Sequence, residues 1–284
     1  MSQATVPHSQ KRRLQAHYGF TGMPFRKSVK ATQMFDSSSQ REFIHGLQLW
    51  PEVGGLGLAI GPTGVGKSIA IRRFLGDLDE ARFKVLRFNQ VPSTPIGFLR
   101  SLTRLLELPM RRHASDLFDQ ARDHLNTYAD VHGPRPLLVL DDAESTPPET
   151  LDLLRRLTNW ELDAGDRFSA LVVGTEDLLL TLKAPLLEPL RSRFLFSHQL
   201  RPFTLEDTRN YIDFHLTSAG ARADLLSDDA KKQLFMVSRG APRLVNQAVL
   251  HVLILGVLQG LDRLDGALVK RAIAAHPLLS RGEA

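Results

Sequence analysis

Cysteine is absent from all 284 residues. That excludes a disulfide framework and any zinc site built on thiolates, and it fits a reducing, cytoplasmic setting. A long apolar run is missing too. The most apolar stretch, LVNQAVLHVLILGVL at 244–258, carries Asn246, Gln247 and His251. It is shorter than the roughly 20 residues of a membrane span, so a buried helix is expected and no membrane partner. No secretory signal is visible: QKRR at 10–13 has no apolar segment behind it.

What is present is ordinary globular composition, 43% hydrophobic and 24% charged. This leaves disorder only for the ends. The formal charge is +5 and the pI about 9.7. Arginine supplies most of the positive charge, and its planar fork suits phosphate oxygens. A modestly basic, solvated surface fits the same composition.

Along the chain, residues 1–17 are polar and basic and read as a flexible tail. An ordered lead-in follows, with YGFTGMPF (18–25) and a helix start at Ser37–Ser39. Strands and helices then alternate. The strands are LGLAI (56–60), KVLRFN (84–89), LLVL (137–140), FSALVVG (168–174) and FLFSHQL (194–200). Helices are expected at 67–78, 96–108 and 115–131, and another after TPPE (146–149), with Thr146 and Glu149 as a capping box. Alternation of this kind implies an α/β layered fold with a parallel sheet. After Arg201 the pattern becomes four capped helices with glycine stops. The expected domains are the tail, an α/β core with its lead-in over 18–203, and a helical domain over 204–284.

GPTGVGKS at 61–68 matches G-x-x-x-x-G-K-[ST] in full, after a strand and opening a helix. In this motif the backbone N–H groups surround nucleotide phosphates. Gly61, Pro62, Thr63, Gly64, Val65, Gly66, Lys67, Ser68 and Ile69 are therefore the expected nucleotide-binding residues. Lys67 is expected at the β- and γ-phosphates of ATP, and Ser68 as a magnesium ligand. Asp141, at the end of the strand LLVL, is the second candidate for the Mg²⁺ shell. Asp142 is the candidate for activating the attacking water, with a capping or salt-bridging acid as its other reading. It is one methylene shorter than glutamate, and a misplacement near 1 Å can cost about 10²-fold in rate. Hydrolysis is therefore expected to be slow. Glu144 is a possible substitute base, or simply the start of the next loop.

Thr175, just after a strand, can hold the water or make a local turn hydrogen bond. Arg191 and Arg193, in LRSRF, are candidates for an arginine finger offered to a neighbouring subunit. Arg243, in RGAPRLVNQ, falls in the first turn of a helix, from where it can point back at a phosphate. Arg100 and Arg104 lie one turn apart on one helix face, and Arg111 and Arg112 follow in PMRRHAS. These four are the candidates for contact with DNA phosphates, with a solvated face as the alternative. No base-reading motif is visible, so little sequence preference is expected.

These motifs in this order resemble the AAA+ ATPases, and more closely the ExeA/GspA-like branch of secretion-associated and transposon-borne ATPases. HYGFTGMPF looks like that branch's Tyr-Gly…Pro-Phe signature, LDDAE stands for its Asp-Glu-Ala-Gln, and VVGTEDLL for its Gly-Gln-Pro-Glu-Leu. RSRF puts Arg193 in the finger position, and RGAPRLVNQ puts Arg243 in the position of the lid arginine that senses phosphate. Over residues 18–276 the resemblance implies a P-loop core with a four-helix lid, using ATP and Mg²⁺. The length and layout are those of the DNA-transposition ATPases of the TnsC, MuB, TniB and IstB types. That implies duplex DNA, a transposase and further copies of the chain, in a ring or helical filament, as partners. The other branch implies an ATPase assisting a secretion or envelope machine. Asp142 departs from the branch's glutamate, and Thr175 from its glutamine.

Overall fold

The computed structural model describes residues 8–26, 35–130, 133–158, 168–277 and 279. They group into two compact units, one of 39–63 with 67–201, the other of 1–38 with 64–66 and 202–284.

The first unit is built on five parallel strands: β1 (Gly55–Ile60), β2 (Phe83–Phe88), β3 (Arg135–Leu140), β4 (Ser169–Gly174) and β5 (Phe194–Gln199). Their order is β2-β3-β4-β1-β5. Every residue of β1 and β4 is buried. Such strands read as unbroken apolar runs because helices cover both faces of a parallel sheet. β5 alternates half-buried and exposed residues, as an edge strand does. The helix α2 (Ser38–Val53) lies on β1 and β5 through its aromatic face. A Cβ built on Gly57 would stand 3.0 Å from the Trp50 ring, and one on Gly46 would stand 2.5 Å from Phe196. Both glycines are there to let rings approach the backbone.

Helices α3 (Lys67–Gly76), α4 (Pro95–Leu105), α5 (Ala114–Asp130) and α6 (Pro148–Thr158) follow strands in turn. α4 starts on Thr94, whose hydroxyl accepts from Gly97 N–H at 3.2 Å. It buries Phe98, Leu99 and Leu102 in the core of the α/β unit. The expected capping box at α6 is not formed. The helix begins one residue later than Thr146 would require, at Pro148, and the Thr146 hydroxyl is buried without a partner. Two short helices escape sequence reading, α7 (Glu176–Leu182) and α8 (Glu188–Arg191). Each is too short to show a helical period.

The second unit is helical: α1 (His8–Tyr18), α9 (Leu205–Ser218), α10 (Asp228–Ser238), α11 (Pro242–Leu258) and α12 (Gly266–Ala274). The four expected C-terminal helices are present. Thr204 and Asp207 form a reciprocal capping box, and Ser227 and Asp265 cap α10 and α12. α11 is the buried helix expected from its apolar run. No described helix is long and apolar enough to cross a membrane.

The N-terminal segment departs from expectation. Residues 1–7 lie outside the described residues, but the rest of the expected flexible tail is helix α1. Leu14 and Tyr18 are buried in the core of the helical unit, which is what orders the segment. The Tyr18 hydroxyl donates to Leu253 O at 3.2 Å, and burial pushes that phenol up to about 12. Phe20 is buried, Phe25 lies against Tyr211 and His215, and Phe35 against Phe203 and Tyr211. The described lead-in up to Ser38 therefore groups with the C-terminal helices, while its helix α2 stays with the α/β core to which the whole lead-in was expected to attach.

Candidate active site: the phosphate loop and the acids beside it

β1 delivers the chain into a loop at Gly61, and α3 starts at Lys67. Gly64 and Gly66 have φ of +81° and +105°, which side chains with a Cβ rarely adopt. The Gly61 N–H donates to Gly174 O at 3.2 Å, tying the start of the loop to the end of β4. Lys67 is only 8% exposed. Its ammonium donates to Gly61 O at 2.6 Å and Pro62 O at 3.3 Å. Burial lowers the Lys67 pKa, while Glu144, Asp142, Glu176 and Asp141 hold it back up, Glu144 most strongly. The structure thus gathers four acids around the loop lysine. Ser68 follows Lys67 half-buried, Pro62 is half-buried, Thr63 and Ile69 are exposed, and Val65 is buried.

β3 ends at Leu140, so Asp141 stands where the strand meets the loop. Asp141 is buried, its Oδ1 accepts the Asp142 N–H at 3.1 Å, and its Oδ2 lies 3.5 Å from Arg87. Arg87 escaped sequence reading. Its only signal was a second charge, after Lys84, in a short strand. Asp142 is exposed and left-handed, with φ 54° and ψ 43°. Short side chains that bond locally, Asp and Asn, tolerate that region best. This gives a backbone reason for aspartate at this position.

A single 3₁₀ turn, Ala143–Ser145, follows and packs on β4 and α7. It carries Glu144 inward. Glu144 Oε2 would lie 3.1 Å from a Cβ built on Gly174. That oxygen is buried without a hydrogen-bond partner, and so is the Thr175 hydroxyl at the start of α7. Thr175 makes no cap with its side chain, so the expected local turn hydrogen bond is not formed.

Arg193 donates to the Thr158 hydroxyl at 2.9 Å, while Arg191 is exposed at the end of α8. In the helical unit, Pro242 opens α11 and Arg243 falls in its first turn, as expected. The tip of the phosphate loop, Gly64–Gly66, groups with this unit. There the Arg243 N–H donates to Gly64 O at 3.3 Å, and a Cβ on Gly64 would stand 2.8 Å from Arg243 Cβ.

Arg100 and Arg104 are exposed on α4, and Arg111 and Arg112 are exposed after it. Arg111 donates to Gln120 at 3.3 Å and lines a groove with Asp116, Asp119 and Asp123. Those acids oppose a phosphate there. Arg100, Arg104 and Arg112 have no such partner among the described residues.

Residues 52–182 match the family described as AAA domain. Over 250 residues the chain is 30% identical to general secretion pathway protein A of Aeromonas hydrophila. That match covers 86% of this chain and 45% of the relative, so the chain spans less than half the relative's length. Among solved structures, Cdc6p of Pyrobaculum aerophilum superposes with a TM-score of 0.62 at 17% identity, covering 91% of this chain and 70% of that one. A Drosophila ORC structure bound to DNA superposes at 0.65 and 13% identity, covering 96% and 69%. The Thermotoga maritima RuvB branch-migration motor does so at 0.52 and 17%, covering 84% and 69%. Likeness at these identities is likeness of fold.

The fold is a five-stranded parallel α/β sheet with a helical C-terminal region, as in these solved structures, and residues 52–182 of it match an AAA domain.

Proposed function

We propose that this chain is an ATPase, a nucleotide-gated regulator that assembles on duplex DNA and recruits or activates a transposase in choosing a target. The observation that carries the reading is the set of exposed arginines, Arg100 and Arg104 on α4 with Arg112 beyond it, on the unit that also holds Lys67 and Asp141. Cationic side chains without acidic partners are free to neutralise phosphates, and such binding needs no base contacts. Arg111 is the weakest of the four, because its groove is acidic. The order of motifs, shared with the transposition branch, supports a transposase partner.

In this reading Gly61–Ile69 wraps the phosphates of ATP and Lys67 contacts the β- and γ-phosphates. Ser68 and Asp141 would hold magnesium. Their hydroxyl and carboxylate oxygens are the hard donors it takes. When bound, magnesium supplies charge neutralisation at the β- and γ-phosphates. Arg243 would report the loop's occupancy through its contact with Gly64. Arg193 would leave Thr158 to reach the γ-phosphate of a neighbouring copy. The acid facing the attacking water is one of two, Asp142 or Glu144.

Negative-stain imaging with ATP, with and without duplex DNA, tests this reading. Rings or filaments that form or lengthen on DNA are expected. ATP-loaded protein that ignores DNA would refute it. A second reading, an ATPase serving a secretion or envelope machine, is favoured by the 30% identity to general secretion pathway protein A. Co-purification with an envelope complex, free of nucleic acid, would select it.

A further inference from the structure

Four acids surround Lys67, but they are not equivalent. Asp141 is committed to the Asp142 N–H and to Arg87. Asp142 is exposed on a left-handed backbone, where water solvates its carboxylate. Glu144 is different. Its Oε2 is buried with no donor to satisfy it, a state that costs about 1–3 kcal/mol or more for a charged group. A buried acceptor left in this state calls for an explanation, and a catalytic role or an ordered water supplies one.

Its position says what completes it. Glu144 lies against Gly174, whose carbonyl takes the first N–H of the phosphate loop, from Gly61. The next residue, Thr175, presents a second buried hydroxyl without a partner. Any residue other than glycine at 174 would place a Cβ 3.1 Å from the carboxylate and 2.8 Å from Leu178. An orphaned acceptor and an orphaned hydroxyl thus share the end of β4 beside the loop lysine. A water molecule, which donates two hydrogen bonds and accepts two, has the donors and acceptors both groups lack.

We infer that Glu144, not Asp142, is the general base for ATP hydrolysis in this chain, with Thr175 holding the same water. This rests on the nucleotide-site reading above. Glu144 takes one proton from the water as the water oxygen bonds to the γ-phosphorus. The bond from that phosphorus to the β–γ bridging oxygen breaks, and its electron pair leaves with ADP. Inorganic phosphate forms, and the proton passes from Glu144 to solvent. The residue after Asp141 then needs no long acid, so the left-handed turn is free to carry aspartate. Glutamate appears two residues later, brought back to the site by the 3₁₀ turn.

The test pairs Glu144→Gln with Asp142→Asn. Affinity for a fluorescent ATP analogue is read alongside single-turnover hydrolysis. We expect Glu144→Gln to lose at least about 10²-fold in rate, the usual contribution of a general base. Its analogue affinity stays within about threefold of wild type, and nucleotide recovered from it after incubation is ATP, not ADP. Asp142→Asn loses at least about tenfold less rate than Glu144→Gln, and Asp142→Glu gives no gain. A Glu144→Gln rate within about threefold of wild type would overturn the inference. So would a loss in Asp142→Asn equal to or larger than that in Glu144→Gln. If Glu144→Gln melts early, Asp142→Asn decides alone. A loss of about tenfold or less sustains the assignment to Glu144, and a loss of about a hundredfold refutes it. Loss of the inference leaves analogue binding by wild type intact. Absence of that binding would instead remove the nucleotide site and the inference together.

Discussion

At the residue scale, the backbone of the proposed phosphate loop was legible because its motif is written in consecutive positions. Glycines at 64 and 66, a lysine at 67 and a hydroxyl at 68 need only the strand before and the helix after. Lys67→Ala should therefore lower affinity for an ATP analogue by more than about tenfold without changing the melting temperature by more than a few degrees. It removes a charge-assisted contact of about 1.5–3 kcal/mol while emptying little apolar core. Unchanged affinity would argue against the loop as the phosphate site. Glu144 was not legible in the same way. Sequence spacing places it in a loop, and only the handedness at Asp142 with one 3₁₀ turn brings its carboxylate to the end of β4. Arg87 was hidden for a related reason, since its ion pair with Asp141 spans two strands adjacent only in the folded sheet.

At the element scale, periodicity found all five strands and every long helix after residue 37, because a covered sheet and amphipathic helices repeat over many residues. It missed α7 and α8, which are too short, and α1, whose apolar contacts are few and widely spaced. α1 is held by Leu14 and Tyr18 against α11, a long-range packing fact. The connection from α10 to α11 shows what a local signal can carry. Arg239 and Gly240 both have positive φ, and a Cβ at Gly240 would stand 2.0 Å from Phe203 O. Gly240→Ala should destabilise the protein by about 1–3 kcal/mol or more, read as a lower midpoint in urea. An unchanged midpoint would mean the turn relaxes freely.

The helix α9 carries a pH prediction. His215 is surrounded by the rings of Phe25, Tyr211 and Phe214, and burial lowers its pKa to about 4. The unfolded chain takes up a proton at this residue near the ordinary histidine value of about 6.5. The folded chain takes it up only near 4. His215's share of stability is thus whole above about pH 6.5 and is lost as pH falls towards 4. Melting temperatures between pH 7 and 4.5 should fall less steeply in His215→Gln than in wild type. Parallel curves would show that His215 is not buried neutral.

At the scale of the whole molecule, the α/β fold and its two-part construction followed from strand–helix alternation giving way to helices alone. The grouping of the lead-in before α2 with the C-terminal unit did not, because aromatic residues near glycine and proline reveal order without revealing what they pack on. Partners are the hardest to read. A surface arginine looks the same in sequence whether it faces phosphate or water, and only the structure separates Arg111, beside acids, from Arg100 and Arg104. If those two contact phosphates, replacing both by alanine should make the plot of log affinity against log salt shallower by about two contacts' worth, near 0.9 each. An unchanged slope would move the contact surface elsewhere.

The measurement that bears most directly on a nucleotide-gated DNA regulator is fluorescence anisotropy of a labelled duplex at low salt, titrated with the protein in ATP, in ADP and without nucleotide. The account predicts tight retention in ATP, weakened at least about tenfold in ADP or without nucleotide, and lost in Lys67→Ala under all three conditions. No retention in ATP, or equal retention whatever the nucleotide, would contradict it.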